Sequence, residues 1–426
     1  MSAAQKKERR FHYAYVVAAA MFLMYILSVF THGSDSLFLT PVMEEFGCTR
    51  AQWGMIMTIW MIGTGFTMGP IGKLYEKVDG RIMQAVAAIG IAAHCAIRAL
   101  STNIYWWWAG AVLLSLVFPM VLNLMLPTFT TRWFAKRVGL VMSICSMAQG
   151  LANSVFSVII ANLISNHGWR FAMWVEAALA LIIGIPVALL FRSRPSDLGL
   201  QPLGAEEIAS ADGTVTTAKP RGMSYKEAMK NPVFWMLFAA IGISTFAGNM
   251  YGYISAFLQT PAVGYTVVAA GAVLSAQSLG QTIGKLTMGT LSDIIGGRKV
   301  ALMSCTFLIV GILGISFLAG GVAPVVISGC AFLVGYNTAA GNLVWPMITK
   351  ETFGLLEYTA IWAALVRALA LVGAFASTVW GLVADMAGGD YRVAFVGGAV
   401  LMLVPMALII MTAKPAKEYP QTKWHE

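Results

Sequence analysis

The sequence predicts an all-α membrane protein of twelve transmembrane helices, arranged as two pseudo-symmetric six-helix bundles. Of 426 residues, 58% are hydrophobic and only 11% charged, whereas a soluble domain carries about 25% charged residues. Apolar runs of spanning length recur along the whole chain without strand-like alternation, and in lipid such runs satisfy their backbone polar groups as helices. A ten-residue loop pattern also occurs twice, about half a chain apart. Five scattered cysteines exclude a disulfide scaffold, and the wealth of apolar and aromatic side chains excludes disorder.

The first run follows a basic stretch (Lys6, Lys7, Arg9, Arg10) and covers about 13–38. It is too long for the apolar core of a signal peptide, and many similar runs follow, so it counts as a transmembrane helix. Spans at 52–72, 82–101, 105–127, 138–162 and 170–191 complete an N-terminal bundle over 1–192. Residues 193–231 hold Pro195, Pro202, Pro220 and most of the clustered acids, which describes a cytoplasmic linker. Spans at 233–257, 265–289, 299–319, 322–347, 358–383 and 391–413 build a C-terminal bundle within 232–426.

Charge orients the helices. Of 28 Lys and Arg, 22 fall in the termini and the loops of one side, four on the other (Arg50, Arg98, Arg170, Arg392) and two, Lys285 and Arg367, inside helices. The positive-inside rule makes both termini cytoplasmic, and a plasma (inner) membrane is the expected location. The net charge of +9 is thereby explained without nucleic acid as a partner.

The two loop copies are Gly72-Lys-Leu-Tyr-Glu-Lys-Val-Asp-Gly-Arg81 and Gly289-Thr-Leu-Ser-Asp-Ile-Ile-Gly-Gly-Arg298. They align without gaps 217 positions apart, each between the second and third helices of its half, as in a duplicated six-helix unit. They resemble the loop signature of the major facilitator superfamily, which implies a gating role for Gly72, Glu76, Arg81, Gly289, Asp293 and Arg298. The first copy departs from the usual pattern with Glu76 in place of Asp. Residues 132–139, 168–172 and 194–204 with 231–235 are similar to the oxalate:formate antiporter and monocarboxylate transporter group. That resemblance implies two bundles around a central cavity that opens alternately to each side. It also implies an eighth-helix cation at Lys285 and an eleventh-helix cation at Arg367. Gln281 stands where animal-type monocarboxylate transporters carry an Asp.

Lys285 lies eight residues from Asp293 and Arg367 nine from Tyr358, so both sit about 12–14 Å inside the cytoplasmic helix ends. A cation at that depth costs several kcal/mol unless it faces water or a counter-ion, which favours an anion site; a buried ion pair is the alternative. Gln277, Gln281 and Lys285 recur at intervals of four on one helical face. Thr338, Asn342 and Trp345 form a second face, Asn249, Tyr251 and Tyr253 a cluster, and Asn123 a lone polar position. These suit a small-ligand wall as well as they suit helix packing. Ser28, His32 and Asp35 share a face near the outer end of the first helix, so His32 and Asp35 are candidates for proton coupling, with a solvated helix end as the plainer account. Gln149 and Asn153 share a face on the fifth helix. Arg98 and Glu176 are expected to form a structural pair supported by His94.

No phosphate-cradling loop, His-Glu-x-x-His motif or Gly-x-Ser-x-Gly elbow is present, so neither an ATP-driven pump nor an enzyme is expected, and no cofactor or metal. The expected function is secondary transport of a small organic anion, a mono- or dicarboxylate, by alternating access as antiporter or proton symporter. The partners would be that anion, the lipid bilayer, and protons or a counter-transported anion, with a monomer as the working unit. A proton-coupled exporter of drugs or other organic cations, working through acids such as Asp35 or Glu176, is the alternative. A non-transporting sensor is a further rival.

Overall fold

A computed structural model describes residues 12–135, 137–205, 222–354 and 356–412. The N-terminal basic run and much of the linker lie outside the described residues, as do, within helices, Gly289 and the side chains of Glu76, Asp293, Asn342 and Arg367.

Among the described residues, twelve helical rods cross the molecule. In the first half they are α1 (Ala14–Phe46), α2 (Arg50–Lys77), α3 (Gly80–Ala99), α4 (Ile104–Trp133), α5 (Val138–His167) and α6 (Trp169–Leu190). In the second they are α7 (Pro232–Leu258), α8 (Val267–Ile295), α9 (Gly297–Leu318), α10 (Pro324–Thr338 continued by Ala340–Phe353), α11 (Tyr358–Met386) and α12 (Tyr391–Met411). Nine of these are long and apolar enough to cross a membrane, counted over the described residues, and Pro324–Thr338 and Val372–Met386 are shorter apolar helices. Several rods outrun the expected spans: α1 continues past 38 to Phe46, α4 past 127 to Trp133 and α5 past 162 to His167. Hydropathy marks where a helix leaves the apolar layer, and capping marks where it ends.

Local chemistry sets those ends. Thr49 and Gln52 close a reciprocal capping box at the start of α2, and Asp79, Asn103, Asn231, Thr266 and Asp390 each accept a backbone N–H at the starts of α3, α4, α7, α8 and α12. Gly168 and Gly296, at φ 82° and 88°, make one-residue turns that join α5 to α6 and α8 to α9. At the loop repeats, Gly80 N donates to Ser193 Oγ (2.7 Å), Arg81 Nε to Phe191 O (3.2 Å) and Gly297 N to Glu351 Oε1 (3.0 Å). Each loop is thus tied to a helix end of its own half.

Five rods are interrupted at mid-depth among the described residues: the first and fourth of each half, and α12 at Met402. α1 carries a π-helical segment at Val29–Gly33 and α4 one at Pro119–Asn123, α7 tightens to a 3₁₀ segment at Asn249–Tyr253, and α10 is interrupted at Ala339. Such interruptions free backbone groups and turn side chains, and inside a membrane they are tolerated where they face protein or a cavity.

The halves meet along two seams, α2 against α11 and α5 against α8. On the side away from the chain ends, called outer here, Asp385 Oδ1 accepts from Arg50 Nη1 (3.2 Å) and Arg50 N (3.3 Å), and Asp385 Oδ2 from Ala51 N (3.0 Å). A carboxylate of one half therefore caps a helix of the other. Deeper along the seams Thr58 Oγ1 donates to Ala374 O (2.5 Å), Ser275 Oγ to Ser154 O (2.5 Å) and Lys285 Nζ to Ser146 O (3.4 Å).

Candidate functional site: a central cavity between the halves

Broken and unbroken helices of both halves together surround a cavity of about 190 Å³. α1 contributes His32, Asp35 and Ser36, α2 Trp53, Met57 and Trp60, and α5 Gln149 and Asn153. From the second half come Asn249, Tyr251 and Tyr253 of α7, Gln277, Ser278 and Gln281 of α8, Thr338 of α10 and Ser377 of α11. Both halves therefore share the site. Tyr253 closes its outer end, with Oη donating to Ser377 O at 2.7 Å and lying 3.3 Å from Arg50 O.

The wall has two characters. Five carboxamides from α5, α7 and α8 give donors and acceptors without net charge. Gln281 Nε2 donates to Thr338 Oγ1 (3.1 Å) and Asn249 Nδ2 to Thr245 O (2.7 Å), while the buried Gln277 Oε1 and Asn153 Oδ1 have no hydrogen-bond partner. The other side is aromatic and ionisable. His32 packs against Trp60 in a tilted contact (centroids 4.6 Å apart, planes 34° apart), meets Phe118 edge-on and holds Thr31 Oγ1 at 2.9 Å from Nδ1. Asp35 faces Arg98 at the outer end of the cavity.

Several expected positions change meaning. Arg98 does not pair with Glu176: its Nη1 donates to Asp35 Oδ1 at 2.5 Å, while Glu176 Oε1 accepts from Ser34 Oγ at 2.9 Å. The π turn inserts an extra residue per turn just before Asp35, which swings that carboxylate to α3. The same turn splits the expected face of Ser28, His32 and Asp35. Ser28 is buried and donates to Tyr25 O, while His32 and Asp35 line the cavity.

The break at Ala339 likewise divides the expected face of α10. Thr338 lines the cavity and Trp345 is packed in the core of the second half. Asn342 lies outside the described side chains. Asn123 ends the π segment of α4, half-buried and outside the cavity lining. Lys285 sits one turn inward of Gln281 with Ser146 O as its hydrogen-bond acceptor, and among the described residues no carboxylate reaches it. Gln277, Gln281, Tyr253, His32 and Asp35 come together at the cavity, while the Arg367 side chain lies outside the description. Trp53 and Trp60 are lining residues not singled out from sequence; their seven-residue spacing on α2, a helical repeat, is the signal that marks them.

The profile of the Major Facilitator Superfamily matches residues 21–347, more than half the chain. The chain belongs to the Major Facilitator Superfamily. It is a multi-pass integral membrane protein and a secondary transporter by family, and not an enzyme. The membrane sensor protein UhpC of Salmonella typhimurium is 24% identical over 354 residues, covering 79% of this chain and 77% of that protein. A probable hexose phosphate transport protein of Chlamydia pneumoniae is 24% identical over 322 residues, covering 70% of this chain and 69% of that one. In fold, the chain resembles the crystal structure of a bacterial homolog to the human lysosomal transporter Spinster in an inward-facing, unoccupied conformation. The TM-score is 0.71 at 15% identity, over 97% of this chain and 99% of that one.

Proposed function

We propose that this transporter carries a small organic anion by alternating access, binding it between the halves at the depth of Lys285. The observation that carries the proposal is Lys285 itself. It is a cation at mid-membrane depth whose described contact is a backbone carbonyl of the opposite half, next to a carboxamide wall suited to an anion's remaining oxygens. An intramembrane cation without a carboxylate partner is costly unless an exogenous anion or water compensates it. Arg367, nine residues into α11 and at matching depth by sequence, is its proposed companion, and Asn342 a proposed polar contact.

The chemical class stays at two forms, a carboxylate or a phosphate ester. The carboxylate form rests on the resemblance to the oxalate:formate antiporter and monocarboxylate group. The phosphate form is supported by the relatives named as hexose phosphate transport proteins and by the five carboxamides, which suit hydroxyl-rich ligands. We further assign the two signature loops to an inner gate, the termini to the cytoplasmic face, and proton coupling, where it operates, to His32 and Asp35.

The test is thermal stabilisation of the purified protein by formate, oxalate, inorganic phosphate and glucose 6-phosphate, repeated with Lys285→Ala and Arg367→Ala. Stabilisation by one anion class that disappears in both variants is the expected result. Stabilisation by organic cations instead would sink the anion site in favour of a drug exporter. The sensor name of one relative supports a second reading, binding without transport. Uptake of the stabilising anion into proteoliposomes separates the two.

A further inference from the structure

We propose that Arg98 is a second anion-binding residue, at the outer end of the cavity in the N-terminal half, and that Asp35 is the built-in group a bound oxyanion displaces. This rests on the anion reading of the cavity above and extends it to a residue on the opposite half from Lys285.

Arg98 occupies the last turn of α3, is 1% exposed and borders the cavity beside His32 and Asp35. A guanidinium offers five N–H donors in a planar fork that matches a carboxylate or phosphate bidentately. Here one arm is used, Nη1 to Asp35 Oδ1, while the buried Nε and Nη2 have no hydrogen-bond partner. The plane lies over Trp107 at 4.5 Å. A buried donor left unmade is costly, so an oxyanion that takes the fork with two oxygens is favoured over the single oxygen of Asp35. Asp35 is the movable partner: its side chain is 23% exposed and it begins the helix directly after the π segment.

The repeat supplies an independent argument. The counterpart of Arg98, 217 positions on in α9, is Ile315, fully buried in the same kind of helix. The six-helix unit therefore closes this spot without a cation, and the arginine answers to a need other than packing.

Displacement follows simple charge balance. The incoming anion takes Arg98, and the released Asp35 carboxylate, facing the cavity, takes one proton from hydronium of the bulk solvent, leaving neutral water, so anion and proton enter together. The groups facing Asp35 are His32 on its own rod, Cys95 and Arg98 from α3 and Glu176 from α6, with Tyr251 and Tyr253 lining the same cavity. Binding that takes up a proton tightens as pH falls.

The experiment is an anion titration followed by thermal stabilisation, with oxalate and inorganic phosphate as probes, on the full-length protein, Asp35→Asn, Arg98→Lys and the neutral double variant Asp35→Asn with Arg98→Gln. Removing the competitor in Asp35→Asn lowers the half-saturating concentration about tenfold, within the usual range for coupled sites. It also flattens the pH dependence measured with oxalate. Arg98→Lys keeps the charge and loses the fork, and raises that concentration about tenfold. The double variant folds with both charges gone and binds no better than Arg98→Lys.

If Asp35→Asn binds as the parent does, or more weakly, and its pH profile is unchanged, the displacement is wrong. If Lys285→Ala loses the response while the Asp35 and Arg98 variants keep it, this proposal falls and the Lys285 site stands. If neither probe stabilises the parent, both fall. Should Arg98→Lys fail to fold, Asp35→Asn decides alone.

Discussion

At Gly63 in α2, an added Cβ would meet only the side chain of Ser115, at 2.5 Å; at Gly280, 217 positions on in α8, it would meet the backbone carbonyl of Phe332 at 2.1 Å. Ser115 and Phe332 are themselves 217 positions apart. One turn on, Thr67 Oγ1 bridges to Ser115 O at 2.5 Å, while its counterpart Gly284 lets α8 approach the Tyr336 carbonyl. The same helix pair is thus joined through side chains in one half and backbone to backbone in the other. The polar positions diverge as well: Trp60 is answered by Gln277, Met68 by Lys285 and Arg98 by Ile315. A duplicated scaffold has divided its chemistry. The first half keeps stacking rings and a buried ion pair, and the second keeps a carboxamide stripe that ends in a cation.

The largest effect that tests this division is steric. Gly280→Ala places a methyl group into a main-chain oxygen that cannot rotate away, and lowers stability by about 3 kcal/mol. Gly63→Ala meets Ser115 at Oγ (2.5 Å) and at Cβ (2.6 Å); the hydroxyl can turn but the Cβ moves only with its backbone, and with the gain in helix propensity as an offset the loss is about 2 kcal/mol. Thermal unfolding in one detergent compares them. Equal losses would mean that the two helix pairs pack alike and that the contrast is unreal.

The next exchanges chemistry between the copies. Lys285→Met gives α8 the residue that α2 carries at the matching position. Neutralising a buried cation that has no carboxylate beside it among the described residues raises thermal stability by about 1 kcal/mol and abolishes anion stabilisation. A fall in stability instead would show that Lys285 is held by a structural partner.

Much of this architecture is legible in the sequence, because apolar runs, a polar linker and a repeated loop are long signals that average over many residues. The breaks in α1, α4, α7 and α10 are not, since a π turn costs one residue of register and leaves no mark on hydropathy. That one residue decides whether Arg98 meets Asp35 or Glu176. On unbroken α8 the expected face is met in part, with Gln277 and Gln281 at the cavity and Lys285 one turn inward of its lining, whereas a face that crosses a break is divided, as Thr338 is from Trp345. Depth is read from sequence more safely than direction, and a buried partner is read least safely of all.

The smallest effect concerns the seam where the unlike halves must both part and close. Asp385 of the second half ties Arg50 and the start of α2, with the two side chains 20% and 23% exposed. Water screens such a pair, so Asp385→Asn costs about 0.5 kcal/mol. An asparagine oxygen still accepts from a backbone N–H, so the helix cap survives in part and the ion pair is what is lost. Because the contact joins the halves, that cost falls on the outer-closed state alone and raises the outer-open population roughly twofold, as RT sets the scale. The rate at which a thiol reagent applied to the outer side labels Ser377→Cys, which lies under the Tyr253 hydroxyl, reports that population. A twofold faster rate in Asp385→Asn, with the melting temperature nearly constant, places the pair on the gate. A large fall in melting temperature with no change in labelling would make Asp385 a support for one half instead, and the seam would then owe its closure to the glycine approaches at Gly54 and Gly381.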